Sequence, residues 1–139
     1  MIAISANSAI ISVPVNVLQS ESDCPLIGDW KIFLYYQVKA SKGADIGIIL
    51  TTGTNKEKIY DSFRLQTPCI VGMKRFITMT STEGYDISEF NLQLEHDDEL
   101  IPFYIPPVAY AYKVCDYVSA SFELKLVNFP VGCLYDDIS

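Results

Sequence analysis

Phe33 and Tyr35 alternate with Lys31, Gln37 and Lys39 along residues 30–39, WKIFLYYQVK. A flat aromatic ring packs on the apolar C–H face of a pyranose, and planar polar side chains hydrogen-bond its hydroxyls. Both kinds of group therefore fall on one side of a single extended segment. Alternate residues of a strand are about 7 Å apart, so Phe33 and Tyr35 would make one continuous platform. The competing reading is that both rings lie under a loop or a partner chain. Trp30, Ile32, Leu34, Tyr36 and Val38 fall on the opposite side and read as core. Tyr60, Arg64, Tyr85, Asp86, Glu89 and Asn91 form a second aromatic and polar set on neighbouring segments. The sugar-binding candidates are therefore Phe33, Tyr35, Gln37, Tyr60, Arg64, Tyr85 and Asn91.

Little else in the chain would support chemistry. His96 is the single histidine, and no nucleophile stands beside it. With scattered carboxylates and no metal-ligand spacing, no catalytic residue is assigned and the chain is read as a non-enzyme without a cofactor. His96, Asp97, Asp98 and Glu99 cluster carboxylates as a calcium site would, but without the spacing of a known loop. They read as a solvated turn. Four cysteines, Cys24, Cys69, Cys115 and Cys133, permit three pairings in a secreted protein. No pair has the CxxC spacing of a zinc site. The N-terminal stretch MIAISANSAIISVPVNV lacks a basic region and reads as strand, not signal peptide. Free thiols are expected on that ground, in a chain large enough to need no staples.

The elements that must position these residues are strands. The chain has 139 residues, half of them hydrophobic, which suits one domain with a real core. Its formal net charge of −7 disfavours a nucleic-acid partner, which needs a basic footprint. No run of 18 apolar residues is present to span a membrane as a helix.

Residues 9–18 alternate at Ile11, Val13, Val15 and Val17, and Pro14 marks an edge strand. Strands are expected over 30–39, 44–51 and 58–64, joined by the turns SKGAD and TGTNKE. The 44–51 strand is apolar on both sides, as a central strand is. Residues 69–80 form another, although Arg75 interrupts its apolar face. Residues 85–95 follow. Three prolines make 100–108 an extended loop, with a short strand over 109–115. Residues 117–127, YVSASFELKLV, carry the cleanest alternation, and the tail after Val131 pairs briefly. Tyr104, Tyr110, Tyr112 and Tyr117 suggest a patch used in binding or assembly. The expected fold is an all-β antiparallel sandwich over residues 1–139, immunoglobulin-like or jelly-roll.

Three stretches resemble a known family: KIFLYYQVKASKGADIGIILTTGTNKEKIYDS, EGYDISEFNLQL and DYVSASFELKL. They are similar to the C-terminal carbohydrate-binding domain of the ATP-binding subunit of O-antigen polysaccharide ABC transporters. Glu83 stands where that family commonly has Pro. No GxxxxGK[ST] phosphate loop occurs, so the resemblance implies an isolated binding domain of a longer protein. It further implies a homodimer, formed by strand exchange, that captures a polysaccharide terminus in the cytoplasm before export. The competing expectation is a structural domain such as a viral capsid or fibre component, its exposed aromatics serving assembly.

Overall fold

The single edge strand expected over 9–18 is corrected: Pro14 cuts it into two strands, which go to different sheets. β1 (Ala9–Val13) pairs antiparallel with β7 (Phe90–His96), while β2 (Val15–Leu18) pairs parallel with β8 (Phe103–Lys113). Proline has no N–H to give a ladder, so the residue between two strands is where it costs least. Both halves are edge strands. A computed structural model describes residues 9–18, 28–52, 55–81, 90–96, 103–113, 125–126 and 128–134.

Between them lie β3 (Gly28–Ala40), β4 (Ala44–Thr52), β5 (Asn55–Phe63) and β6 (Cys69–Ser81), with β9 (Gly132–Leu134) last. One sheet runs β1-β7-β4-β5 and the other β2-β8-β3-β6-β9. The fold is therefore an all-β sandwich. All pairings are antiparallel except β2 with β8. β4, apolar on both faces, is an interior strand as expected. The turn at Ser41–Gly43 carries the chain from one sheet to the other. A Cβ on Gly43 would stand 2.5 Å from the Phe63 carbonyl oxygen, so only glycine lets the crossing pass so close to the end of β5.

The inner faces make one core. Trp30, Ile32, Leu34, Tyr36 and Val38 of β3 meet Ile46, Ile48 and Leu50 of β4 and Leu92 and Leu94 of β7. Ala109 and Ala111 of β8 join the same core and are small, leaving room for the large side chains of the facing strands.

Three further expectations need correction. Residues 103–113 are one strand and not a loop followed by a strand. Its pairing with β3 slips twice: Tyr35 faces Val108, Gln37 faces Ile105 and Val38 faces Phe103. Pro106 and Pro107 fall inside the first irregularity, where no ladder bond is asked of them. Secondly, Lys125 and Leu126 are helical, and the amides of Asn128 and Phe129 donate to the carbonyls of Lys125 and Leu126. Alternation alone does not see this turn; residues 117–124 of the expected strand lie outside the described residues. Thirdly, β5 spans Asn55–Phe63 rather than 58–64.

Candidate functional site

The outer face of β3 is covered. Phe33 and Tyr35 are 0 % and 1 % exposed, and with Leu126 they form a second cluster flanked by Ile105, Val108, Tyr110 and Phe129. The covering is the chain after Lys125. The Phe129 ring lies 5.2 Å from that of Phe33 and 4.7 Å from that of Tyr35, both tilted. Gln37 donates to the Tyr35 hydroxyl at 2.7 Å, and that hydroxyl donates to the Pro130 carbonyl at 2.8 Å. Lys74 reaches the Leu126 carbonyl at 3.4 Å. A Cβ on Gly72 would collide with the Pro130 carbonyl oxygen and lie 2.9 Å from the Tyr35 oxygen, so glycine is what lets this segment seat. The open platform expected at Phe33, Tyr35 and Gln37 is therefore corrected. Alternation separated two faces of β3, but both are buried, the second beneath a segment 90 or so residues away in sequence, as the Tyr35–Pro130 separation of 95 illustrates.

The same segment is tied covalently. Cys69, at the start of β6, is disulfide-bonded to Cys133 in β9, with Cα atoms 5.7 Å apart. The expectation of free thiols fails for these two; Cys24 and Cys115 lie outside the described residues. Sequence spacing gives no sign of this pairing, because register brings the residues together: Val71 faces Cys133 and Ile70 faces Leu134.

Arg75, the interruption in β6, has a partner across the sandwich. Its guanidinium meets the Asp61 carboxylate at 2.5 Å, and the Tyr36 hydroxyl donates to the other oxygen of Asp61 at 3.2 Å. Asp61 is 6 % exposed. A buried carboxylate needs such partners. Burial, and then the charge of Asp61, push the Tyr36 phenol far above its ordinary range. This triad ties β5 to β3 and β6 and engages both oxygens of the buried Asp61.

On the outer face of the four-stranded sheet the edge strands are open, with Ile10 and Tyr60 exposed, while Gly47 and Ile49 of the interior strand β4 are buried. There Ile10, Glu95, Gly47 and Tyr60 form one row across β1, β7, β4 and β5. Ser12, Gln93, Ile49 and Lys58 form the next, and Asn91, Thr51 and Lys56 a third. Tyr60 is 60 % exposed. Lys58 extends over β4 to meet Glu95 two strands away at 2.5 Å, and its ammonium lies 5.1 Å from the Tyr60 ring centroid. Gly47 makes this bridge possible. A Cβ there would be 3.1 Å from Lys58 Cε and 3.4 Å from Glu95 Oε1. Hydrogen bonding to Glu95, and secondarily to Tyr60, holds the Lys58 ammonium above the usual lysine range.

Of the sequence candidates, the structure brings Tyr60 and Asn91 to this outer face and puts Phe33, Tyr35 and Gln37 beneath the 125–130 segment. Arg64 follows the end of β5, exposed, and donates to the Phe63 carbonyl at 3.1 Å. Tyr85, Asp86 and Glu89 lie outside the described residues, as do Asp97–Glu99. Of the tyrosine patch, Tyr104 is exposed, Tyr110 half-buried and Tyr112 buried, so it is not one surface. Gly47, Lys58, Gln93 and Glu95 were not singled out from sequence; the signal was a glycine inside an apolar strand, which marks a close approach.

Among the described residues no group of three or more His, Cys, Asp or Glu side chains is placed to hold a metal. No helix among them is long and apolar enough to cross a membrane. No protein-family model, curated protein or solved structure matches this chain.

Proposed function

We propose that this protein is a non-catalytic glycan-binding domain whose ligand lies on the outer face of the four-stranded sheet, against Tyr60. The observation that carries the reading is an aromatic ring held open to solvent in a row with a glycine. The Lys58 side chain crosses the glycine to hold Glu95, and planar amide groups from Gln93 and Asn91 stand on β7, two strands from that ring. This supplies an apolar stacking surface and directional hydrogen bonding on rigid elements. The family resemblance supports a polysaccharide terminus as the ligand class and a homodimer as the working form. The Cys69–Cys133 disulfide favours an oxidising compartment over the cytoplasm, so capture outside the cytoplasm fits this chain better than capture before export.

Glycan-array binding followed by titration tests the reading. Tyr60→Ala should weaken binding by about 1–3 kcal/mol, the scale of one lost aromatic contact, and leave the circular dichroism spectrum unchanged. Absence of binding to any glycan, or binding that Tyr60→Ala does not weaken, would overturn it. The second reading is an extracellular assembly domain, favoured by Ile10, Phe76 and Tyr104, which are large, apolar and exposed. Light scattering separates the two: concentration-dependent growth beyond a dimer supports assembly.

A further inference from the structure

Residues 125–126 and 128–134 touch the sandwich through a set of contacts separate from its main core. Leu126 and Phe129 belong to the outer cluster with Phe33 and Tyr35, not to the cluster between the sheets. Among the described residues the backbone tie is short: β9 has three residues and pairs with β6 at Ile70, Val71 and Gly72. Further ties there are the Tyr35–Pro130 and Lys74–Leu126 hydrogen bonds and the disulfide. Beneath lies a row of aromatic side chains. Phe33 sits 5.3 Å from Phe76 and 6.5 Å from Tyr110, ring centre to ring centre, and Phe76 already emerges at the rim, 43 % exposed.

We infer that this segment is a disulfide-held clasp, which opens on two-electron reduction of Cys69–Cys133 and uncovers the aromatic outer face of the five-stranded sheet. The two sulfurs differ in access, since Cys133 is exposed and Cys69 is buried in the core. A dithiol reductant attacks the Cys133 sulfur. The S–S bond breaks, its electron pair leaves on the Cys69 sulfur, and that sulfur takes up a proton. The second thiol of the reductant then attacks the mixed disulfide, releasing Cys133 as a thiolate that is protonated in turn. Two electrons and two protons pass from the dithiol, which departs as a cyclic disulfide. Without the covalent tie, the described contacts that hold the segment are three residues of edge pairing, two hydrogen bonds and the seating of Leu126 and Phe129 on Phe33 and Tyr35. A three-residue ladder is far below the length of a self-sustaining hairpin. Local opening of a weakly tied unit, with the rest of the fold intact, is ordinary protein behaviour. Phe33 and Tyr35 then lose the cover of Leu126 and Phe129 and join Phe76 and Tyr110 at the surface.

Hydrogen exchange of the full chain tests this, comparing the wild type with Cys133→Ser, a substitution that leaves Cys24 and Cys115 unaltered. Peptides covering 128–134 and 69–72 should exchange faster in the variant, on the order of tenfold or more beyond any change within β4 and β7. The dye ANS should gain fluorescence in step. Unchanged protection of 128–134 would show that the disulfide does not hold the clasp. Equal loss of protection in β4 and β7 would show that the segment is not a separable unit. Should Cys133→Ser fail to accumulate, the wild type treated with dithiothreitol is read by the same peptides, and the same two outcomes overturn the inference.

Discussion

Tyr36 and Asp61 show how a polar group survives between two sheets. The phenol is kept protonated by burial first and by the adjacent carboxylate second. The sign for stability follows from linkage. In the unfolded chain tyrosine ionises around its ordinary value of 10.0, while in the folded state it retains its proton. Stability is therefore full below that value and falls as pH rises beyond it. Lys58 adds the same sign: its folded-state pKa is raised from 10.5, so its contribution is also lost on the alkaline side, and salt screens it because the group is fully exposed. Urea unfolding at stepped pH should show a decline setting in near pH 10, and Tyr36→Phe should flatten it. Asp61→Asn removes the charge that Arg75 faces. It should lower stability by about 1–3 kcal/mol, the cost of an unpaired polar group moderated by the partial exposure of Arg75, read as a shift in urea midpoint at constant slope.

At the scale of elements, two glycines set the path of the covering segment. Gly132 has φ of 89°, a left-handed conformation at the entrance to β9. Gly132→Ala should cost about 1–2 kcal/mol for that reason alone, since nothing lies near its added Cβ. Gly72→Ala must instead displace Pro130, and should expose Tyr35 to exchange and quenching without unfolding the inner core. Thermal melts and tyrosine fluorescence distinguish the two. The strands themselves are readable: alternation marks β3 and β6, whose inner faces join the core, and an unbroken apolar run marks β4, an interior strand. Pro14 was readable as an edge. β8 was not, because a bulge absorbs Pro106 and Pro107 and no local pattern announces a bulge. The helical turn at Lys125–Leu126 was hidden for the opposite reason, since Leu124 and Leu126 fit an alternation that the chain abandons. On the candidate face, Tyr60 and Asn91 were legible as types. Their meeting with Gly47 and Glu95 depends on the β4–β7 pairing, which joins residues far apart in sequence.

For the whole molecule, the outer face of β3 decides between surface and core. Tyr35→Ala should now destabilise by about 3–5 kcal/mol, as large aromatic deletions do, where an exposed ring would have cost almost nothing; chemical denaturation reads the difference. The Cys69–Cys133 bond closes a loop with a sequence separation of 64. In the chain-entropy account such a loop contributes about 4 kcal/mol, a large share of the 5–15 or so available to a domain. Reduction should therefore lower the thermal midpoint while leaving a β-type far-ultraviolet spectrum. The crossing at Pro14 has a mechanical consequence. β1 and β2 are consecutive in the chain, yet one is laced to β7 and the other to β8. Tension along this corner loads two ladders in series, each in shear, and neither sheet can slide over the other without tearing its own edge. The segment works as a seam: under force along it the sandwich yields there by shearing off an edge strand, β1 from β7 or β2 from β8.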